Sequence, residues 1–82
     1  MNDTIVLLIE SELHIAKHKH PDWPTDPVHA AAIVAEESGE LIRAAIQLKI
    51  EKTGSLAALE REAIQTIATA VRLLENSFNY KF

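Results

Sequence analysis

The chain has 82 residues, a formal charge of −4, 48% apolar residues and no cysteine. A protein this short forms at most one domain and buries only about 60% of its unfolded surface, and the absence of cysteine excludes disulfides and thiolate metal sites as reinforcement. The acidic balance gives no general reason to bind nucleic acid or an anionic membrane, no apolar run approaches the roughly 18 residues of a bilayer span, and Asp3 and Glu10 stand where a signal peptide would be basic. The expectation is a cytoplasmic protein that gains stability by self-association.

From Thr4 to about His18, the residues Ile5, Leu8, Ile9, Leu13 and Ala16 recur at helical spacing, with Asn2, Asp3 or Thr4 available as a cap. The spacing predicts a first helix over 4–18. Its other side carries Ser11, His14 and His18. The two histidines are one turn apart but have no acidic or thiol ligand beside them, so they read as a solvated face. The next segment, 19–26, holds Pro21 and Pro24 and is followed by Pro27, which excludes helix and makes it a connector. Trp23 within it is either a base-stacking platform for a substrate or a lid over the core; in a small domain the large area of an aromatic ring favours the lid.

Asp26 followed by Pro27 is an N-cap with proline at the first helical position. The second helix is predicted over 27–52, with Thr53-Gly54 as its stop. Its apolar residues cover more than one side. Ala30, Ile33, Val34, Leu41, Ala45 and Leu48 lie on one, and Val28, Ala32, Ala35, Ile46 and Ile50 lie round the back. An arc that wide needs more neighbours than one chain supplies. Gly39, in mid-helix, costs about 1 kcal/mol relative to alanine and points to the close approach of another backbone. Ser55 opens a third helix, predicted over 55–77, with Leu59, Ala63, Ile67, Ala70, Leu74 and Phe78 on its main stripe. A second, ordered polar side carries Glu62, Gln65, Thr69, Arg72 and Asn76. No element is predicted for Asn79 to Phe82. The fold class is all-α, with three helices per chain and helical hairpins assembling into an oligomeric bundle of the four-helix type.

The chemistry gathers around AEESGEL, residues 35–41. Glu37 shares its side of the helix with Ala30, Ile33, Leu41, Ala44 and Leu48, and Glu40 lies one turn on. A carboxylate on an apolar side must be protonated, paired or bound to a metal. The third helix repeats the pattern as Glu62-x-x-Gln65. With a turn centred near Gly54, Glu40 and Glu62 are offset by roughly 9 Å at 1.5 Å per residue, which calls for a bend, a longer reach or a second subunit. Such an oxygen cluster suits Mg²⁺. His29, on the same flank as Glu36 and Glu40, reads as a partly exposed first-turn residue.

Glu36-Glu37-Ser38-Gly39-Glu40, a spacer of 21 residues, then Glu62-Ala63-Ile64-Gln65 resembles the signature of the MazG-like all-α nucleoside triphosphate pyrophosphohydrolases, Glu-Glu-x-x-Glu followed by Glu-x-x-Asp. The likeness covers roughly Pro27 to Leu74. It implies Mg²⁺-dependent cleavage between the α and β phosphorus atoms of a nucleoside triphosphate, in a homodimer or homotetramer. Carried over residue by residue, it implies Glu37, Glu40 and Glu62 as metal ligands and Glu36 as either a group that supports those ligands or a water-orienting catalytic base. Gln65 stands where the family has aspartate, and its amide oxygen ligates without bringing charge. Arg43, Arg61 and Arg72 are candidate phosphate contacts: Arg72, on the Glu62 face, is the preferred one, and surface solvation is the default for the other two; Thr69 is a candidate for the nucleoside pocket. Two alternatives share this fold: a non-catalytic helical oligomer with a degenerate site, and an enzyme resembling the phosphoribosyl-ATP pyrophosphohydrolases.

Overall fold

Each of the three helices is started by a short polar side chain that accepts a hydrogen bond from an otherwise orphaned backbone N–H. Asn2 Oδ1 accepts from Ile5 N at 3.1 Å, Asp26 Oδ1 from Val28 N at 3.0 Å, and Ser55 Oγ from Ala58 N at 3.1 Å. In the computed structural model, which describes residues 1–82, these caps open α1 (Asp3–Lys19), α2 (Pro27–Ile46) and α3 (Leu56–Glu75). A π-helical turn, Gln47–Glu51, continues α2, and a 3₁₀ turn, Ser77–Asn79, follows α3. The chain is all-helical, and the predicted helices hold to within about two residues at their ends, the usual fraying distance. No helix is long and apolar enough to cross a membrane.

α3 is the central element. It packs against α2 along most of its length and against α1 on its other side, while α1 and α2 scarcely touch. The packing uses small side chains: Ala30, Ala44 and Ala68 are buried, with Ile9, and no large side chain is fully buried. Alanine at these crossings lets helix axes approach closely, at the cost of a thin core.

The α2–α3 turn differs from the expected one, and the difference positions the carboxylates. The chain reverses at Lys52, whose φ of 61° makes it the one residue in the left-handed region. Thr53 N and Gly54 N then both donate to the carbonyl of Gln47, at 3.0 and 3.2 Å. The connection therefore runs back along the last turn of α2 before α3 begins. Gly54 is needed for this approach rather than for a positive φ: a Cβ there would lie 3.0 Å from Gln47 Cβ and 3.0 Å from Leu48 N. The hairpin thus turns earlier than Gly54, and the offset of roughly 9 Å expected from helical rise is taken up. At Gly39 the expected close approach is not made within the chain, since no atom lies within 4 Å of the place a Cβ would take.

The tail, for which the sequence signals no element, straps the connector to α3. Trp23 Nε1 donates to the Tyr80 hydroxyl (2.9 Å), which donates to the Leu73 carbonyl (2.8 Å). Lys81 N donates to the carbonyl of Thr25 at 2.8 Å. Contacts this distant in sequence leave no periodic trace.

Candidate metal centre

α2 places Glu37 and Glu40 one turn apart, and the early reversal brings Glu62 of α3 level with them. One carboxylate oxygen from each lies within 4.8 Å of the other two. Glu40 is exposed, whereas Glu37 and Glu62 are half-buried. Glu37 Oε2 and Glu62 Oε2 are shielded from solvent and have no hydrogen-bond partner. A buried acceptor without a partner forfeits its hydration for nothing, and three like charges at this spacing repel. Burial first, then the neighbouring carboxylates Glu40, Glu62, Glu12 and Glu36, push the Glu37 carboxyl above the usual carboxylate range.

A pH dependence follows. An acid whose folded pKa lies above its unfolded value binds more protons when folded, so stability falls as pH rises from the ordinary glutamate value through the raised one. In chelator, the melting temperature is expected to rise as pH is lowered from 7 toward 5, until general acid denaturation intervenes. Glu37→Gln should flatten that rise and melt higher than wild type at neutral pH. Thermal scans across this pH range measure both.

The donor set fits a hard divalent cation. It consists of oxygens alone, two of them buried and unpartnered, with one exposed carboxylate at the rim. Glu37, Glu40 and Glu62 would hold the ion. Gln65 lies alongside, sharing with Glu37 and Thr69 a cavity of about 210 Å³. The Thr69 hydroxyl donates to the Gln65 carbonyl at 2.7 Å, which fixes its rotamer at the cavity wall.

Glu12 of α1 lines that same cavity, together with Lys19 and His20. Glu12, not among the expected site residues, has a sequence signal of its own: it falls in the row of Ile5, Leu8 and Ile15, a misplaced carboxylate of the same kind as Glu37. It supplies a negative charge on the side where Gln65 brings none. Glu36 is exposed and stands outside the three-carboxylate group.

Arg43 and Arg61 are exposed, as expected. Arg43 and Arg61 line a cavity of about 300 Å³ with Glu40 and Glu62, so two cations flank the cluster on its exposed side. Arg72, expected as a phosphate contact, is only 7% exposed, its Nη2 donates to the His20 carbonyl at 2.8 Å, and its guanidinium lies 4.9 Å from the centroid of the Trp23 ring. Arg72 and Trp23 share a different cavity, with Lys17 and Glu75. Trp23 is half-buried, with Tyr80 on its edge and Arg72 on its face. His14, His18 and His29 are exposed.

These features define an all-helical chain with a carboxylate cluster between two helices, flanked by cationic side chains. Compared with family models, curated proteins and solved structures, the chain matches none.

Proposed function

We propose that this protein is a Mg²⁺-dependent pyrophosphohydrolase that converts nucleoside or deoxynucleoside triphosphates to the monophosphate and pyrophosphate. The observation that carries the reading is the convergence of Glu37, Glu40 and Glu62 to within 4.8 Å, with a buried, unpartnered oxygen on each of Glu37 and Glu62. Two shielded carboxylate oxygens without hydrogen-bond partners, on groups that repel one another, form an arrangement that a bound cation would stabilise. When bound, Mg²⁺ neutralises the triphosphate and provides Lewis-acid polarisation.

The remaining roles fall to the chain's own side chains. Arg43 and Arg61, beside Glu40 and Glu62, offer forked donors to phosphate oxygens. Lys19 and His20, across the cluster, face the cavity of Gln65 and Thr69, which is where the nucleoside end would be held. Glu36 and Glu12 are the two carboxylates beside Glu37 left free to accept a proton from an attacking water, Glu36 by the family resemblance and Glu12 by its place in the cavity.

The test is pyrophosphate release from a panel of ribo- and deoxyribonucleoside triphosphates, in Mg²⁺ and in chelator. The expected result is equimolar monophosphate and pyrophosphate that vanish in chelator. Silence across the panel would favour the reading in which Gln65, uncharged where the resemblance has aspartate, leaves an assembly protein without chemistry.

A further inference from the structure

α1 is held loosely. Ile9 is its one buried residue, Leu7, Leu8 and Ile15 stay exposed, and the helix lies against α3 while scarcely touching α2. Yet it turns a carboxylate inward. Glu12 is half-buried, whereas Glu10, Ser11 and His14 around it are exposed. It lines one cavity of about 210 Å³ with Glu37 and Gln65, and another of about 280 Å³ with Glu60 and Arg61. Its carboxylate forms no ion pair, since the one salt bridge of the chain joins Lys17 to Glu75. A half-buried anion that faces other anions and takes no cation from its own chain costs stability. An apolar residue there would continue the row of Ile5, Leu8 and Ile15 without that cost.

We infer that Glu12 is a positioning residue of the cation site: its charge faces the ion from the side that Gln65 leaves neutral, so that Mg²⁺ binding ties α1 to α2 and α3. The role rests on the reading of Glu37, Glu40 and Glu62 as a cation site, and it holds whether or not Glu12 also accepts a proton during turnover. Glu12 lies outside the three carboxylates whose oxygens come within 4.8 Å of one another. It acts on the ion as a charge and as an acceptor for the waters that Mg²⁺ keeps, not as a ligand.

The cavity shared with Gln65 fixes which side of the ion is meant. α2 brings Glu37 and Glu40, and α3 brings Glu62, but the α3 residue three positions further on carries no charge. Glu12 and Gln65 both line the wall beside Glu37, so a carboxylate at either position serves the same side. Affinity for Mg²⁺ should therefore depend on there being a carboxylate at position 12 or position 65, and only weakly on which.

Calorimetric titration of Mg²⁺ at about 0.15 M salt, where exposed charges are largely screened, tests this role. Glu12→Gln is expected to weaken binding about ten- to a hundredfold, the usual effect of losing a group that supports metal ligands, and the exposed Glu10→Gln to change it by less than about twofold. Gln65→Asp should restore most of the affinity of Glu12→Gln and tighten wild type by a smaller factor. In chelator, Glu12→Gln should melt at or above the wild-type temperature. Hydrogen exchange gives a site-resolved measure: saturating Mg²⁺ should slow the amides of α1 in wild type, but in Glu12→Gln only those of α2 and α3.

A wild type that binds no Mg²⁺ would remove the cation site itself, and this role with it. Binding in wild type that survives Glu12→Gln unchanged would overturn the role of Glu12 and leave the site standing. A lower melting temperature with unchanged affinity would make Glu12 a structural partner of Arg61. Equal losses in Glu10→Gln and Glu12→Gln would reduce the effect to the general field of the chain, and a loss that Gln65→Asp does not restore would reduce it to a disturbed α1. Each of these three results also overturns the role.

Discussion

Replacing Glu62 by glutamine is expected to lower Mg²⁺-dependent pyrophosphate release by roughly a thousandfold, equivalent to about 4 kcal/mol of lost transition-state stabilisation. The size of the effect follows from where charge enters the site. α2 contributes two carboxylates to the cluster, whereas α3 contributes Glu62 and the neutral Gln65. Glu62→Gln therefore removes all the negative charge that α3 brings. Stability should move the other way, because the substitution removes one of three mutually repelling charges and leaves an amide N–H that can donate to a neighbouring carboxylate. A variant that is inactive yet melts at or above the wild-type temperature in chelator separates lost chemistry from lost fold. Gln65→Asp is the converse change. It restores a charge beside Glu37 and is expected to tighten Mg²⁺ binding while lowering stability in chelator, both read in the same titrations and melts.

Arg72→Ala is expected to cost about 3 kcal/mol of stability. It removes a charged hydrogen bond to the His20 carbonyl, worth about 1.5–3 kcal/mol, and a cation–π contact with Trp23 worth about 0.5–2 kcal/mol. In a domain of this size that corresponds to a fall of roughly 12–24 °C in melting temperature. Arg72→Lys should recover little, since an ammonium cannot both lie flat on the indole and reach the carbonyl. The KM of the molecules that remain folded should stay near the wild-type value. A raised KM with an unchanged melting temperature would return Arg72 to the phosphate site.

The contrast between these residues shows how far the sequence reaches. Caps at Asn2, Asp26 and Ser55 and the 3.6-residue apolar period are local signals, and local signals placed all three helices. Glu37 was legible for a related reason: a carboxylate on an apolar stripe is anomalous within its own helix. Glu40 followed one turn on, and Glu62 came from the repeated spacing on the polar side of the third helix and from the family resemblance. Glu12 carried the anomaly of Glu37 more weakly, diluted by a helix with polar residues on several sides. The contacts of Arg72 had no local signal, because helical position places it on the Glu62 face while His20 and Trp23, which it touches, lie about fifty residues away in the chain. Nor was the level of Glu62 against Glu40 predictable from rise per residue. It depends on Lys52 turning left-handed and on Gly54 lying against Gln47, a backbone detail with no periodic signature.

Calorimetric titration of Mg²⁺ into chelator-treated protein asks whether Glu37, Glu40 and Glu62 together hold a divalent cation. Saturable binding is expected in wild type, loss of that binding in each of Glu37→Gln, Glu40→Gln and Glu62→Gln, and retention in the folded fraction of Arg72→Ala. Absence of binding in wild type, or binding that survives all three glutamate substitutions, would contradict the account.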